Sequence, residues 1–246
     1  MATITAQHVA QVWQLLRDRR PAVHCITNSV VQNFTANLQL AVGAIPSMTT
    51  DASEIGDFVK ESDSLLVNLG TLDGDRKKAI TLALESLGPA KRFVLDPVFV
   101  DRSSQRLDYA CTLLEAKPAI VRCNQAEAQA MQLLQNRPSP ITLALSGPTD
   151  EVIGHSNQIR LRHGHAYGAM VTGGGCALSA LMAAILAVES DAALAATTGF
   201  AAYGIAQEIA AQDAEGPASF AMRLIDALHH LSAERLNYDL QKMEQA

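Results

Sequence analysis

The chain has 246 residues, of which 48% are hydrophobic, and a formal net charge of −6 at pH 7. This length suits one large domain with a substantial core, and the apolar fraction argues against disorder over most of the chain. The negative charge argues against a nucleic-acid-binding protein, which normally carries a basic face. It does not exclude a small anionic substrate, because a local cluster of main-chain N–H groups can oppose the overall charge.

The cysteines and the apolar runs bear on the compartment. The four cysteines, Cys25, Cys111, Cys123 and Cys176, are scattered and form no CxxC pair, and the chain does not begin with a secretory leader pattern. The longest apolar run, from Cys176 to Val188, is shorter than the roughly 20 residues that a membrane helix needs. We therefore expect a soluble, cytoplasmic protein without a membrane partner.

The first half of the chain alternates helix patterns with short apolar strands. Gly43 has the position of a helix C-terminal glycine, and Asp51 or Ser53 is the expected cap of the third helix. Helices are predicted at 8–20, 30–43, 51–62 and 73–88, and strands or extended pieces at 22–28, 45–50, 64–70 and 91–100.

The second half continues the alternation and then becomes helical. Helices are predicted at 107–116 and 125–135, strands at 118–124 and 141–147, and a hairpin at 151–165. Two nearly all-apolar helices follow between 176 and 211, and a last helix is predicted at 218–236 before the polar end at 237–246. Strands alternating with helices predict one α/β domain over 1–246, with a mainly parallel sheet flanked by helices.

Ligands of such sheets bind outside the carboxyl ends of the strands, which directs attention to the strand exits. Asp96 ends one strand and Glu127 follows another, with Arg122 between them in the sequence. Two carboxylates and a guanidinium suit Mg²⁺ held against a polyphosphate, since arginine meets phosphate oxygens with two parallel hydrogen bonds. Taken singly, Asp96 also suits a turn cap, and Glu127 suits the positive end of a helix.

The segment VTGGGC, residues 171–176, combines three glycines with the start of a helix. Glycines let main-chain N–H groups approach an anion, and the helix N-terminus adds partial positive charge. Close packing of helix on sheet is the alternative reason for these glycines. Cys176 would have a lowered pKa if it faced the opening, and would be a small core residue if it pointed inward.

These segments resemble the hydroxyethylthiazole kinases of thiamine salvage, which have the ribokinase-like fold. The matching stretches are VHCITNSVVQNFTANLQLAVGAIPSM (23–48), LLVNLGTLD (65–73), VLDPV (94–98), IVRCNQAE (120–127) and VTGGGC (171–176). The resemblance implies a three-layer sandwich and ATP- and Mg²⁺-dependent phosphorylation of the alcohol of 4-methyl-5-(2-hydroxyethyl)thiazole. It also implies a homotrimer with active sites between subunits.

The resemblance assigns roles to particular residues. It implies that Asp96 and Glu127 hold the metal and the phosphates, that Arg122 and Ser146 contact ATP, and that Met48 and Asn28 contact the thiazole. The loop implies an anion hole with Gly173 and Gly175 as catalytic groups, Gly173 also touching the substrate. Cys176 occupies the place where related sugar kinases carry a catalytic aspartate.

Several features depart from the family pattern. Phe99 and Asp101 replace small residues after VLDPV, Cys123 replaces a glycine, and Gly174 replaces a threonine. Only 13 residues separate Glu127 from the strand at 141–147, fewer than in the family. An active kinase is favoured. The alternatives are an inactive member that binds a thiazole or nucleotide, or a kinase for another heterocyclic alcohol.

Two further interpretations have less support. The HGH at 163–165, with His155 nearby, suggests a metal site if both imidazoles share a strand face, but a solvated hairpin face is favoured. A nucleotide-cofactor oxidoreductase lacks the glycine fingerprint after the first strand and the acidic residue about 20 positions later.

Overall fold

A computed structural model describes residues 4–244 of the chain. Within them, eight strands form one sheet in the order β2-β1-β3-β4-β5-β6-β7-β8. The strands are β1 Ala22–Ile26, β2 Ile45–Ser47, β3 Ser64–Asn68, β4 Arg92–Asp96, β5 Ile120–Asn124, β6 Thr142–Ser146, β7 Asp150–Ile153 and β8 Gln158–Leu161. All pairs from β2 to β6 are parallel, and β7 and β8 add an antiparallel hairpin at one edge.

Helices cover both faces of the sheet. They are α1 Ala6–Arg19, α2 Gln32–Ala41, α3 Ile55–Glu61, α4 Gly74–Ser86, α5 Ser104–Leu114, α6 Gln125–Ala130, α7 Leu133–Asn136, α8 Gly174–Leu186, α9 Ala192–Gln212, α10 Pro217–His230 and α11 Ala233–Glu244, with 3-10 turns at Val100–Arg102 and Ala166–Met170. One buried cluster joins the sheet to α1, α2 and α8–α11, and a second joins it to α3–α7. The predicted three-layer α/β sandwich with a mainly parallel sheet is confirmed.

The central strands read as unbroken apolar runs because both of their faces are covered. Along β3, Leu66 belongs to the cluster under α8, whereas Leu65 and Val67 belong to the cluster under α3–α5. Successive side chains of a strand point to opposite faces, so each apolar residue has a helix layer to pack against.

Helix α8 runs antiparallel to the strands that it covers. Ser64, at the start of β3, donates from its hydroxyl to Ala183 O at 2.7 Å, and Arg92, at the start of β4, donates to Leu186 O at 2.9 Å. At the opposite end, the Ser179 hydroxyl donates to Asp96, the last residue of β4, at 2.8 Å. The glycine-rich start of α8 therefore lies at the carboxyl edge of the sheet.

Most predicted elements are present, but the start of α3 differs. Gly43 follows α2 with φ of +93°, the left-handed conformation that a helix-terminal glycine adopts. Helix α3 begins at Ile55 after Glu54, so the predicted caps Asp51 and Ser53 are wrong. The Asp51 carboxylate instead accepts hydrogen bonds from the Ser53 N–H and hydroxyl at 2.7 and 2.6 Å, which closes a local turn before the helix.

Two predicted helices are each divided. The helix predicted at 125–135 breaks at Gln132, whose φ of +55° is incompatible with a continuous helix, and Met131 is buried at this break. The helix predicted at 218–236 ends at His230, and Ser232 then caps α11 by accepting from the Arg235 N–H. The polar end at 237–246 is helical to Glu244, and residues 245–246 lie outside the described part.

The break between α10 and α11 is stabilised by α1. The Trp13 indole N–H donates to Leu231 O at 2.8 Å, and the Arg17 guanidinium donates to Leu228 O and His229 O at 3.3 and 2.8 Å. These donors satisfy carbonyls that lose their helical partners where α10 ends. The hydrophobic periodicity of 218–236 alone does not reveal this break.

None of the helices within residues 4–244 combines the length and the hydropathy that a membrane crossing would require. All described strands belong to one sheet. The assignment of 1–246 to a single domain stays a prediction.

Candidate active site

The strand register brings two polar side chains together at the carboxyl edge of the sheet. Asn68 and Asp96 end adjacent parallel strands and are paired in register. The Asn68 amide donates to Asp96 Oδ2 at 2.8 Å, and the Ser179 hydroxyl of α8 donates to the same oxygen at 2.8 Å. Asp96 is thus fixed from its own sheet and from the helix above it.

The second oxygen of Asp96 is free to bind a ligand. Asp96 Oδ1 is buried and has no hydrogen-bond partner among the described residues. Burial raises the pKa of Asp96, although the nearby Arg122 charge and the Ser179 hydrogen bond act in the opposite direction. A buried carboxylate oxygen without a partner is costly unless a cation or a proton occupies it, so this atom marks a candidate metal position.

Cys176 lies in the first turn of α8 and faces the β1 exit. The Asn28 amide donates to Cys176 Sγ at 3.3 Å and lies 3.4 Å from Asn68 Oδ1. Burial raises the pKa of Cys176 to about 11, so the side chain is a protonated thiol at neutral pH. Cys176 is partly buried at the strand exit, and the helix N-terminus does not give this cysteine a lowered pKa.

The glycine loop is closely packed on both sides. Gly173 has φ of +83°, and a Cβ there would lie 2.2 Å from Val31 Cγ1. A Cβ on Gly175 would lie 2.5 Å from Arg122 Nη1. These contacts require glycine at both positions, which agrees with the packing alternative. The anion-binding role of the loop stays a prediction, which rests on the N–H groups that a helix N-terminus leaves without intrahelical partners.

Arg122 lies on β5 and reaches across the sheet edge to the loop. Its Nη2 donates to the Ser146 hydroxyl at 2.7 Å, and its Nε is buried without a partner among the described residues. Ser146 ends β6, the neighbouring parallel strand. The guanidinium is therefore oriented and still has donors available for an anion.

Glu127 performs the cap role that the sequence left open. Its Oε2 accepts from the Asn124 N–H at 2.9 Å, and the Asn124 side chain accepts from the Glu127 N–H in return. Its Oε1 accepts from the Phe99 N–H at 2.9 Å, which ties α6 to the loop after Asp96. Phe99, one of the departures from the family pattern, has φ of +60° and so supplies a left-handed residue in the turn after Asp96.

A cavity of about 610 Å³ opens beside the glycine loop. Of the predicted site residues, Arg122, Ser146 and Gly175 line it, together with Gly174 and Asp150. Its other walls are the segment 162–169 and the α9 residues Tyr203, Gly204 and Gln207. The volume falls in the range of small-molecule and cofactor sites.

Met48 is apart from these residues, directly after the edge strand β2. It is half-buried and packs against the cluster under α2 and α8. The buried His24 ring holds the chain on both sides of it, with Nδ1 2.8 Å from Ser47 Oγ and Nε2 3.0 Å from Thr49 O. Among the described residues, no hydrogen bond joins Met48 to Asn28 or Cys176.

Sequence reasoning missed Asn68, Ser179 and Tyr203. The Tyr203 hydroxyl donates to Gly174 O at 3.0 Å and supports the loop from α9. Ser179 and Tyr203 are polar residues within otherwise apolar helices, and this position in the sequence was the feature that could have identified them. Asn68 was visible only as the last residue of a strand.

The histidine metal site considered for 163–165 is not present within residues 4–244, and the favoured solvated hairpin face is wrong for His163, whose side chain is only 5% exposed. Strand β8 ends at Leu161, so His163 and His165 do not share a strand face as the metal reading required. His163 Nδ1 is 3.1 Å from Glu208 Oε1, and His165 Nδ1 accepts from the Tyr167 N–H. In this described range no group of three or more His, Cys, Asp or Glu side chains is placed to hold a metal ion.

Comparison with known sequences decides the family. The sequence profile of the hydroxyethylthiazole kinase family matches residues 13–139 and 129–234. The two matches meet within the short segment that follows Glu127. The chain belongs to the hydroxyethylthiazole kinase family.

Individual family members are similar over most of their length. The chain is 42% identical to a probable hydroxyethylthiazole kinase of Agrobacterium fabrum, covering 94% of this chain and 92% of that one. It is 40% identical to a hydroxyethylthiazole kinase of Granulibacter bethesdensis, covering 89% and 88%. The family resemblance inferred from the motifs is confirmed.

Solved structures agree with the fold. A hydroxyethylthiazole kinase protein of Pyrococcus horikoshii superposes with a TM-score of 0.86 at 30% identity, covering 91% of this chain and 93% of that one. A ribokinase-like superfamily protein of Enterococcus faecalis gives a TM-score of 0.67 at 12% identity over 94% and 96% of the chains, which supports the fold alone. The chain is thus a kinase-family member with a ribokinase-like fold.

Proposed function

We propose that this kinase transfers a phosphoryl group from ATP to the hydroxyl of 4-methyl-5-(2-hydroxyethyl)thiazole. The observation that carries the proposal is the juxtaposition of Arg122 and the glycine loop at the start of α8, with the 610 Å³ cavity beside them. Phosphoryl transfer depends mainly on positioning and on neutralising charge, and this arrangement offers both.

The nucleotide is expected in the cavity, with its phosphates towards the loop. Arg122 and Ser146 line the cavity where the strands end, and Gly175 lies directly against the guanidinium. The free N–H groups of the first turn of α8 supply hydrogen-bond donors and partial positive charge for phosphate oxygens. The protein's net charge of −6 makes this local donor cluster the main attraction for a polyanion.

The carboxylates fit a Mg²⁺ ion that keeps several phosphate or water ligands. Asp96 Oδ1 is the free buried oxygen, whereas both oxygens of Glu127 already accept main-chain N–H groups. Asp96 would contact the ion directly, and Glu127 would contribute through its remaining lone pairs. When bound, Mg²⁺ neutralises charge on the transferring phosphoryl group.

The alcohol is expected on the other side of the loop, near Asn28 and Met48. Asn28 and Cys176 are hydrogen-bonded there, and Gly173 forms the boundary beside Val31. The anion hole formed by Gly173 and Gly175 would stabilise charge that develops on the transferring group. Because Cys176 is protonated, its contribution to removing the alcohol proton is secondary to positioning.

The test is release of ADP from ATP in the presence of a panel of thiazole, pyrimidine and pyridine alcohols. We expect turnover with the hydroxyethylthiazole and its loss, by at least about 10²-fold, in Asp96→Asn. Activity that survives both Asp96→Asn and Glu127→Gln would overturn the metal assignment. Binding of Mg²⁺–ATP without ADP formation from any alcohol would favour the inactive family member, and turnover of a different alcohol would assign another substrate.

Glu127→Gln requires a second measurement, because Glu127 also holds two main-chain N–H groups. The glutamine keeps one acceptor and places an amide against the other N–H, which leaves a buried clash of donors. Its melting temperature is therefore measured beside its activity. Lost activity with an unchanged melting temperature supports the catalytic assignment. A lowered melting temperature alone supports only the capping role.

We also propose that the protein is a cytoplasmic homotrimer with active sites between subunits. Cys25, Cys111, Cys123 and Cys176 are all unpaired, which suits a reducing compartment. Met48 lies beside the edge strand β2, where a neighbouring subunit could complete the thiazole pocket. Light scattering after size-exclusion chromatography tests the trimer, and a monomeric active enzyme would overturn it.

A further inference from the structure

One wall of the nucleotide cavity is held by side chains of α9. Most residues of the segment 162–169 line the cavity after β8 ends, and the far end of this segment lies against the glycine loop, with Gly168 O 3.5 Å from where a Cβ on Gly174 would be. This segment has no strand partner of its own, because the β7–β8 pairing ends at Leu161. Its position must therefore be set by other contacts.

Glu208 supplies two of these contacts through one oxygen. Its Oε1 accepts from the Gly164 N–H at 3.1 Å and lies 3.1 Å from His163 Nδ1. The His163 side chain is only 5% exposed, and its Nε2 has no hydrogen-bond partner among the described residues. The Glu208 carboxylate is therefore the group that fixes both the ring and the backbone at the start of this wall.

Gln207 supplies the next contact. Its Oε1 accepts from the His165 N–H at 3.1 Å, and a Cβ on Gly168 would lie 2.5 Å from this same oxygen. Gly204, one turn earlier on α9, would carry a Cβ only 2.5 Å from His163 Cβ. The wall thus lies directly on α9, with consecutive N–H groups of residues 164 and 165 held by consecutive side chains of the helix.

The same helix also holds the glycine loop. Tyr203 lies one helical turn before Gln207, on the same side of α9, and its hydroxyl donates to Gly174 O at 3.0 Å. Helix α9 is continuous over Ala192–Gln212, so one helix holds both the cavity wall and the glycine loop.

We infer that Gln207 and Glu208 are positioning residues for the nucleotide, which act by holding residues 163–165 of the cavity wall on α9, beside the glycine loop. This inference rests on the proposed function only for the identity of the ligand. Neither residue is needed near the thiazole side, since Asn28 and Cys176 lie across the loop. Their loss should therefore affect nucleotide affinity and leave the affinity for the alcohol unchanged.

The test compares Glu208→Ala with Glu208→Gln, which keeps an oxygen acceptor at the same place. Binding of Mg²⁺–ADP is measured by calorimetry, and KM is measured separately for ATP and for the thiazole alcohol. We expect Glu208→Ala to weaken ADP binding and raise the KM for ATP by about tenfold, the effect of losing one to two hydrogen bonds. Glu208→Gln should restore most of this loss, and Gln207→Leu should weaken ADP binding by a smaller factor.

Glu85→Ala is the matched control, because Glu85 is exposed on α4, on the opposite face of the sheet. A fall in melting temperature with unchanged ADP affinity in Glu208→Ala would make the contact merely structural and overturn the inference. Equal changes in both KM values would also overturn it. If the wild type binds ADP but phosphorylates no alcohol, the proposed function fails while the ADP measurements still decide the role of Glu208.

Discussion

The guanidinium of Arg122 lies directly against Gly175, so the glycine loop packs on a side chain that comes from β5. A Cβ on Gly175 would come within 2.5 Å of Nη1 and 3.0 Å of Nη2, while Nη2 is held by the Ser146 hydroxyl at 2.7 Å. The arginine cannot yield to a larger side chain without losing Ser146. If the proposed phosphate site lies between the loop and Arg122, this contact makes it sensitive to a single methyl group.

Gly175→Ala is therefore expected to displace Arg122 and raise the KM for ATP by about tenfold, with little change in the KM for the alcohol. Gly74→Ala is the control, since Gly74 also lies in the first turn of a helix but a Cβ there meets nothing within 4 Å. Steady-state kinetics of both variants provide the comparison. An ATP KM as low as in the control would show that Arg122 does not contact the nucleotide.

Gly173→Ala should destabilise the fold as well as the site. The residue has φ of +83°, which costs about 1–2 kcal/mol for an alanine, and its Cβ would overlap Val31 Cγ1 at 2.2 Å. Urea unfolding is expected to show a loss of at least this size. Val31→Ala removes Cγ1 but leaves Val31 Cβ 2.7 Å from the added Cβ, so Gly173→Ala should cost less in the Val31→Ala background than in the wild type, while the backbone strain remains.

The control for this pair is Gly88→Ala, since Gly88 has neither a positive φ nor an atom within 4 Å of its added Cβ. Its unfolding free energy should match that of the wild type within about 0.5 kcal/mol. A Gly173→Ala variant as stable as Gly88→Ala would contradict the packing described for the loop.

Cys176→Ala should slow turnover without abolishing ATP binding. Because the thiol has a pKa of about 11, it is not ionised at pH 7.5, and we expect a loss in kcat of about tenfold rather than the 10²–10⁴ of a full general base. Iodoacetamide should accordingly react slowly at this pH. Cys111→Ala, which alters an exposed cysteine on α5, is the control.

The two possible failures of this prediction have different meanings. Unchanged kcat in Cys176→Ala would remove the residue from the catalytic group. A loss beyond about 10³-fold would make it the principal proton acceptor and would require a lower thiol pKa in the substrate complex.

Asp150 should make stability depend on pH. Burial raises the pKa of this cavity carboxylate to about 6, above its value of 3.8 in the unfolded chain. Between these values the folded state binds more protons, so the free energy of unfolding falls as the pH rises, by at most about 3 kcal/mol. In the wild type, the Gly147 N–H donates to Asp150 Oδ1 at 3.0 Å. Asp150→Asn keeps an oxygen acceptor for this N–H.

We expect Asp150→Asn to match the wild type at pH 4 and to exceed its unfolding free energy by about 1–3 kcal/mol at pH 7.5. Urea titrations at the two pH values measure this difference. Asp57→Asn, at a side chain that is 84% exposed, is measured beside it as the control. A difference in unfolding free energy between Asp150→Asn and wild type that stays constant with pH would contradict a buried Asp150 carboxylate with a raised pKa.

The sequence alone determined the layers of the fold and the edge of the sheet where the site lies. Continuous apolar runs such as SLLVN require cover on both faces, and parallel strands place their exits together. The family followed from motifs spread over the chain, because the long N-terminal stretch and the strand exits keep most of their residues despite the changes in the loops. These features are local, or follow from chain order, so no coordinates were needed for them.

The tertiary structure decided the details that depend on residues far apart in sequence. Only the register of β3 and β4 sets Asn68 on Asp96, and only the antiparallel course of α8 brings Ser179 to the same carboxylate. The thiol state of Cys176 likewise reflects burial by neighbours, which overrides the expected effect of a helix N-terminus. Desolvation and packing depend on contacts with segments that are far apart in the sequence, so they cannot be predicted from the residue pattern of one segment.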